Sequence, residues 1–348
     1  MSTRQPRLQV LADGSALPGA MSAEVSSNNH LSADRFRVRF AARGLDPAAL
    51  RGRLDVQVGL DGGWTSLLLG TADSLHFDPI RGTLDVEGRD LSAALVEARV
   101  DETFANRTSS EVAELLAARH GLEADVTATS VTVGRLYGSE RDRLTMGQFA
   151  RATTEWDLLA ALAGQEGFDL FMDGPRLHFG PPDGADPVVL PVGGCVSLEL
   201  EHRLALADVQ VQVRSWGTRA GTAVSASAGS GARRHGVVRP NLPQDEAQRL
   251  AERTLADLQR HEWAAHVVMP GELGLTARSR VQVQGAGPGW DRVMAVAEIS
   301  RGLDVRRGFS QRVTLQGIPG QAGAGQASAG QASAGQGVPG GAAGGQAA

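Results

Sequence analysis

The sequence contains no lysine; all 34 of its basic residues are arginine. A P-loop needs a lysine on its phosphates and a Schiff-base enzyme needs a lysine amine, so both classes are excluded. Cys195 is the only cysteine. No intramolecular disulfide can form, and one chain cannot build a cysteine-based zinc or iron–sulfur site. Aromatic residues make up 4% of the chain, so its cores must be aliphatic and β-branched. No run approaches the ~18 apolar residues of a membrane-spanning helix. The first residues, MSTRQPRLQVLADGS, lack the apolar stretch of a secretory signal. Synthesis and assembly in the cytoplasm are therefore expected. A net charge of −5 gives no case for nucleic acid or an anionic membrane as partner.

The 348 residues suggest two or three domains. Residues 1–95 read as short strands. Phe36, Val38 and Phe40 alternate with arginines, and Leu54, Val56, Val58 and Leu60 repeat the pattern, which is the period of half-buried strands. Turn signals between such runs suggest a first β-barrel-like or sandwich domain.

Residues 96–187 change character. Thr108-Ser109-Ser110-Glu111 is a capping box, in which hydroxyl and carboxylate satisfy each other's free N–H groups. Val112, Leu115 and Leu116 follow as an apolar helix face, and Gly121 stops it. Residues from Val126 to Val133 are β-like. A second helix is capped by Thr153 or Thr154, presents Trp156, Leu159, Ala160 and Ala163 on one face, and ends at Gly167. Phe168, Leu170 and Met172 then alternate, Asp173-Gly174-Pro175 turns, and Leu177 and Phe179 return, predicting a β-hairpin. Pro181-Pro182 and Asp186-Pro187 mark a boundary.

Residues 188–316 return to strands, with Val209, Val211 and Val213 alternating. Residues 221–236 read by composition as a flexible loop. Residues 245–265 read as a helix carrying Ala247, Leu250, Ala251, Leu255 and Leu258 on one face. Residues 317–348 are Gly, Ala, Gln, Ser and Pro, with QASAG repeated from Gln326 to Gly335, and should form a disordered tail. The expected fold is mainly β with an α+β insert: two β-barrel-like domains flank a small α/β domain.

Candidate chemistry dissolves on inspection. His261-Glu262-Trp263-Ala264-Ala265-His266 invites a zinc-protease reading, but that motif needs its histidines four apart. Here they are five apart, roughly 140° around a helix, and the ordinary reading is a helix end with solvated histidines. Gly335 to Gly340 matches GxGxxG without the strand–turn–helix context that makes the motif bind dinucleotides. Asp101-Glu102, or Glu155 with Asp157, are acids of the kind a glycosidase uses, yet such acids must face each other across a cleft. Adjacent acids point apart, and solvated surface is the ordinary reading. Cys195, beside Gly193-Gly194 at an expected strand start, reads as a buried small hydrophobe. Arg233-Arg234 read as a solvated basic pair. No catalytic, cofactor or metal residue is named, and no cofactor is expected.

Gly82-Thr-Leu-Asp-Val-Glu-Gly88-Arg89-Asp90-Leu91-Ser92 resembles the "V-x-G-R-D-L-S" phrase of the late control D, or baseplate hub, proteins of contractile phage tails. Phe104 to Val112 is similar to that family's next segment. Gln148, Thr154 to Leu159, Leu162-Ala163, Glu166-Gly167 and Leu177-His178-Phe179 are similar to its helix–hairpin insert. Gly308-Phe309-Ser310 before Val313-Thr-Leu315 resembles its closing strand. The hub halves of type VI secretion spike proteins carry related phrases. The resemblance implies two tube domains around an insert, and three subunits in a ring whose six barrels mimic sixfold symmetry. It implies a structural, non-enzymatic hub joining a tail tube to a threefold spike in a virion or phage-like injection particle. The implied partners are further copies of the chain, a separate spike protein, the tube protein and other baseplate proteins, with no nucleic acid and no membrane insertion. Two other classes remain open from the residues alone: a particle-associated cell-wall hydrolase, and a monomeric β-rich binding module.

Overall fold

A computed structural model describes residues 5–320, apart from 30, 61, 101–103, 105, 131, 134–153, 217–222, 305 and 307. Thr153, Asp101-Glu102 and the GxGxxG of 335–340 lie outside the described residues, as does the expected tail beyond Gly320.

The first β unit contains β1 (Arg7–Ala12), β2 (Ser15–Ala16), β3 (Ala20–Asn28), β4 (Arg35–Ala41), β5 (Arg53–Leu60), β6 (Gly63–Asp78) and β7 (Thr83–Asp90). Its strands follow one another antiparallel in the order β3-β4-β7-β6-β5-β1, and β1 comes back into contact with β3, so the sheet curls around its own core. Phe36, Val38 and Phe40 are buried while the arginines between them are exposed, as their alternation requires. They close on Val10, Val25, Leu54, Val56 and Val86. Two glycines let strands approach where no side chain fits. A Cβ on Gly88 would lie 2.1 Å from the Thr71 carbonyl oxygen and 2.5 Å from the Phe36 ring, and one on Gly70 would lie 2.0 Å from the Arg89 carbonyl oxygen.

The insert holds α1 (Ala93–Glu97), β8 (Arg107–Thr108), α2 (Ser109–Arg119), β9 (Glu123–Val126), β10 (Thr132–Val133), α3 (Glu155–Glu166), β11 (Asp169–Asp173) and β12 (Arg176–Gly180). The capping box forms in full: the Glu111 amide donates to Thr108 Oγ1 at 3.2 Å, and the Thr108 amide donates to Glu111 Oε2 at 2.8 Å. Thr154 caps α3, accepting from the Asp157 amide at 3.1 Å. Gly167 ends α3 in the left-handed region at φ 74°. The hairpin β11–β12 turns at Gly174-Pro175, with Asp173 opposite Arg176. Within the expected β stretch 126–133, only Val126 and the Thr132–Val133 pair are strand among the described residues.

The remaining strands are β13 (Val188–Pro191), β14 (Ser197–His202), β15 (Val209–Trp216), β16 (Ala223–Ala228), β17 (Arg233–Val238), β18 (Trp263–Pro270), β19 (Arg280–Gln284), β20 (Val293–Asp304) and β21 (Gly308–Gln316). This part also holds two α-helices, the short α4 (Leu204–Ala207) and the long α5 (Gln244–Arg260). The second β unit follows the order β14-β18-β21-β20, with β19 on β20 and β13 on β19. It continues into the first unit, because β20 pairs antiparallel with β3 from Glu298 opposite Asn28 to Asp304 opposite Ser22. One 13-stranded sheet thus runs through both units.

Two expectations are corrected. The described part of the stretch 221–236 is largely strand: β16 lies within it and β17 begins in it, and the two flank β15 in a separate small sheet covered by α5. Alanine, serine and glycine look like linker, yet here they let the helix sit close to the sheet, with Ala247 and Ala251 fully buried. The helix also stops at Arg260 and not at 265, because the chain re-enters the sheet at Trp263 as β18.

Replacing Gly88 by alanine forces its Cβ against backbone that cannot move aside. It is expected to destabilise the protein by about 1–3 kcal/mol, read as a lower urea midpoint at unchanged slope.

Candidate functional site at the junction of the three units

The phrase Val86-Glu-Gly-Arg-Asp-Leu-Ser92 leads from the end of β7 into the insert, and each polar residue in it has a structural task. Arg89 donates to Asp73 through Nε and a terminal nitrogen, both at 2.7 Å, and to Glu97 at 2.5 Å. Asp90 is buried. Its Oδ1 accepts from the Ser92 hydroxyl at 2.5 Å and the Ser92 amide at 3.1 Å, and its Oδ2 accepts from the Asp34 amide at 3.2 Å. In return the Asp90 amide donates to the Asp34 carbonyl oxygen. Two aspartates are thereby held side by side. Burial pushes the Asp90 carboxyl up to about 6, and the neighbouring Asp34 charge adds to the effect. Burial also raises Asp34, against the pull of the Asn28 amide and of Arg278.

These aspartates border a cleft of about 620 Å³ where the insert meets both β units. Asp169 and Asp173 enter it from β11, and Arg278 and Arg301 from the second unit. The Arg278 guanidinium lies 3.9 Å from the centre of the Phe171 ring, a cation–π contact that ties the second unit to the insert. Its Nε is buried without a hydrogen-bond partner. Burial pulls Arg278 down from the usual arginine value, while Asp34, Asp169, Asp90 and Asp173 oppose that. Arg301, 8% exposed on β20, donates to the Leu275 and Glu272 carbonyl oxygens. The first unit is tied to the insert by Trp156, whose Nε1 donates to the Leu31 carbonyl oxygen at 2.6 Å. The cleft joins the units through charge–charge and ring contacts. Among the described residues its lining includes Ser27, Ser66 and His178, and His178 Nδ1 lies 2.8 Å from Asp125 Oδ2.

The residues weighed in the sequence are placed as follows. Glu155 is not solvated surface: it is buried within the insert, paired with Arg119, and its Oε2 lies 2.5 Å from His120 Nε2. Asp157, by contrast, is exposed. His261 caps the end of α5 and His266 lies on β18, so the two do not share a helix face. Glu262 instead engages His202 at 3.0 Å. Cys195 is partly buried against the second unit's core, following a 3-10 turn and not opening a strand; burial raises its thiol. Arg233 and Arg234 are exposed on β17. Among the described residues no cluster of three His, Cys, Asp or Glu is placed to hold a metal, and no helix is long and apolar enough to cross a membrane. Sequence reasoning missed Asp34, Arg278 and Arg301 as a group. Asp90 carried a signal, an acid two residues before a serine at a strand end.

Two outcomes follow. Asp90 keeps its proton up to about 6 when folded and loses it near 3.8 when unfolded. Between those values the folded state binds the extra proton, so this stabilisation is present below pH 3.8 and is lost as pH rises through about 6. Relative to Asp90→Asn, which does not titrate, the natural protein should lose roughly 2–3 kcal/mol of unfolding free energy between pH 4 and 7, measured by urea unfolding at each pH. Glu155→Gln, which removes the buried carboxylate that Arg119 and His120 share, should cost about 2 kcal/mol, read as a lower thermal midpoint.

No protein-family model matches this chain, and a search among curated proteins finds no match. Solved structures do match. A tail protein from Neisseria meningitidis is 17% identical with a TM-score of 0.69, covering 89% of this chain and 96% of its own. The 43 kDa tail protein of prophage MuSo2 from Shewanella oneidensis is 16% identical with a TM-score of 0.70, over 89% and 98% of the two chains. An E. coli component of the type VI secretion system, described as structurally similar to phage T4 tail proteins, is 13% identical with a TM-score of 0.57, over 90% and 77%. The fold of this chain, nearly end to end, is therefore the fold of phage tail proteins and of a type VI secretion component, as the resemblance in its phrases implied.

Proposed function

We propose that this chain is a structural, non-enzymatic baseplate hub subunit. Three copies form a pseudo-sixfold ring that connects the tail tube to the threefold spike of a contractile phage tail or phage-like injection particle. The observation that carries this reading is the fold likeness to tail proteins along almost the whole of both chains. The sheet supports it. Residues 1–95 and 188–316 act as two tube domains around the insert at 96–187, and three copies then present six comparable units, which reconciles a sixfold tube with a threefold spike. One sheet face, over β3, β4, β7 and β20, is also polar across the seam. Arg39 grips Asp85 with two bonds of 2.6 and 2.7 Å, and Ser300 Oγ donates to Glu24 Oε1 at 3.2 Å between the units. Such a face suits a wall that meets water. The partners on this reading are further copies, a spike protein, the tube protein and other baseplate proteins. The chain is made and assembled in the cytoplasm and ends in the particle.

The test is native mass of the full chain, alone and mixed with its cognate spike protein. A threefold complex in either sample is the expected result. Strict monomer in both, with no spike bound, overturns the hub reading.

A further inference from the structure

Several strands of the large sheet have an open side, and two of these edges, on β6 and β14, expose apolar side chains. The ladder between β5 and β6 stops at Arg53 opposite Thr71, whereas the ladder between β6 and β7 continues to Asp78 opposite Thr83. Among the described residues, 72–78 of β6 therefore pair on one side only. At the far end of the sheet β14, 6 residues long, pairs with β18 and, among the described residues, with no other strand. Each open side is a row of backbone donors and acceptors ready to take another strand.

The side chains at these edges match. Leu75 and Phe77 are 43% and 61% exposed, yet the residues opposite them on β7, Val86 and Leu84, are buried. Residues opposite each other share a sheet face, so Leu75 and Phe77 lie on the core side where the protein's own cover stops. On β14, Leu198 and Leu200 pack along the rim of the second unit's core, and Val196 just before them is 75% exposed. Other open edges, on β13 and on the small sheet, are guarded or lead nowhere. β13 is bracketed by Pro187 and Pro191, which lack the N–H a ladder needs. β17 carries Arg233 and Arg234, and it and β16 bound the small sheet that continues neither main core.

We propose that residues 72–78 of β6 in one copy take β14 of a second copy as an added strand, with Leu75 and Phe77 packing beside Leu198 and Leu200. The two edges are different surfaces of one chain, so the contact is head-to-tail and propagates until rotation closes it. This rests on the ring reading above and names the strands that close the ring. On the opposite face, Ser74 and His76 come beside Glu199 and Glu201.

The single native cysteine makes the test direct. In a Cys195→Ser background, cysteine is placed at Ser74 or His76 and, in the same chain, at Glu199 or Glu201. The full chain is then oxidised under the conditions, with or without spike protein, in which native mass is threefold. At least one pairing is expected to give an intermolecular ladder that ends at three, while single-cysteine chains stop at dimers. Phe77→Arg, at an exposed position, should leave the thermal midpoint of the monomer unchanged and raise the concentration needed for the threefold complex about tenfold or more. A threefold complex that cross-links in none of the four pairings and tolerates Phe77→Arg overturns this strand assignment and leaves the hub reading standing. Strict monomer in every sample overturns both.

Discussion

The antiparallel ladder between β3 and β20 is the constraint on which the rest of the molecule depends. β20 is a shared rail. Its first residues pair with β19, its last pair with β3, and β21 runs along its other side from Ala295 to Asp304. The register shift between Val296 and Glu298 marks the transfer from one unit to the other. A bulge twists and re-aims a strand, which lets the same strand serve two differently curved walls. Ile299 and Leu303 are buried, whereas Arg301 between them occupies a buried position beyond the reach of the apolar cores. Its guanidinium ends on carbonyl oxygens because a charge taken from water must be hydrogen-bonded.

The junction follows from that seam. Three apolar cores come near one another around a polar cleft and stay separate. Contacts that hold the insert include Trp156 on the Leu31 carbonyl oxygen and Arg89 on Glu97 toward the first β unit, and Phe171 under Arg278 toward the second. Asp34 and Asp90 cross-bond at the point where the chain leaves β7 for the insert. Its orientation thus depends on both β units being fixed to each other, which the β3–β20 ladder ensures. Adjacent buried carboxylates cannot both ionise freely, so protonation state and geometry are coupled at that point.

Much of this was legible in the sequence wherever the signal was local. The alternation of Phe36, Val38 and Phe40, the Thr108–Glu111 box and the helix ended by Gly167 each depend on neighbours a few residues away. The helix limit at Arg260 and the strands β16 and β17 were not legible. In the first case Trp263 to Pro270 could continue an apolar helix face or alternate as a strand, and pairing with β14 and β21 decides between them. In the second, small residues reveal a strand only once α5 lies across it. Glu155 looked solvated because its partners Arg119 and His120 come from another helix. The cleft was illegible for the same reason: Asp34 and Arg278 are far apart in the chain, and only the β3–β20 pairing brings them close.

On the hub reading, the seam also explains why two fused units serve better than two tethered ones. A ring that meets a sixfold tube on one side and a threefold spike on the other must hold its two units per chain at a fixed angle, or its six positions cease to be equivalent. A flexible linker would leave that angle to the partners. An antiparallel ladder fixes it within the chain, because sliding by one residue would turn Ile299 and Leu303 out to solvent and bring Ser300 and Gly302 inward. Loss of those buried side chains makes such slippage costly. On that reading threefold symmetry is left to contacts between chains, and each chain supplies two of the six positions.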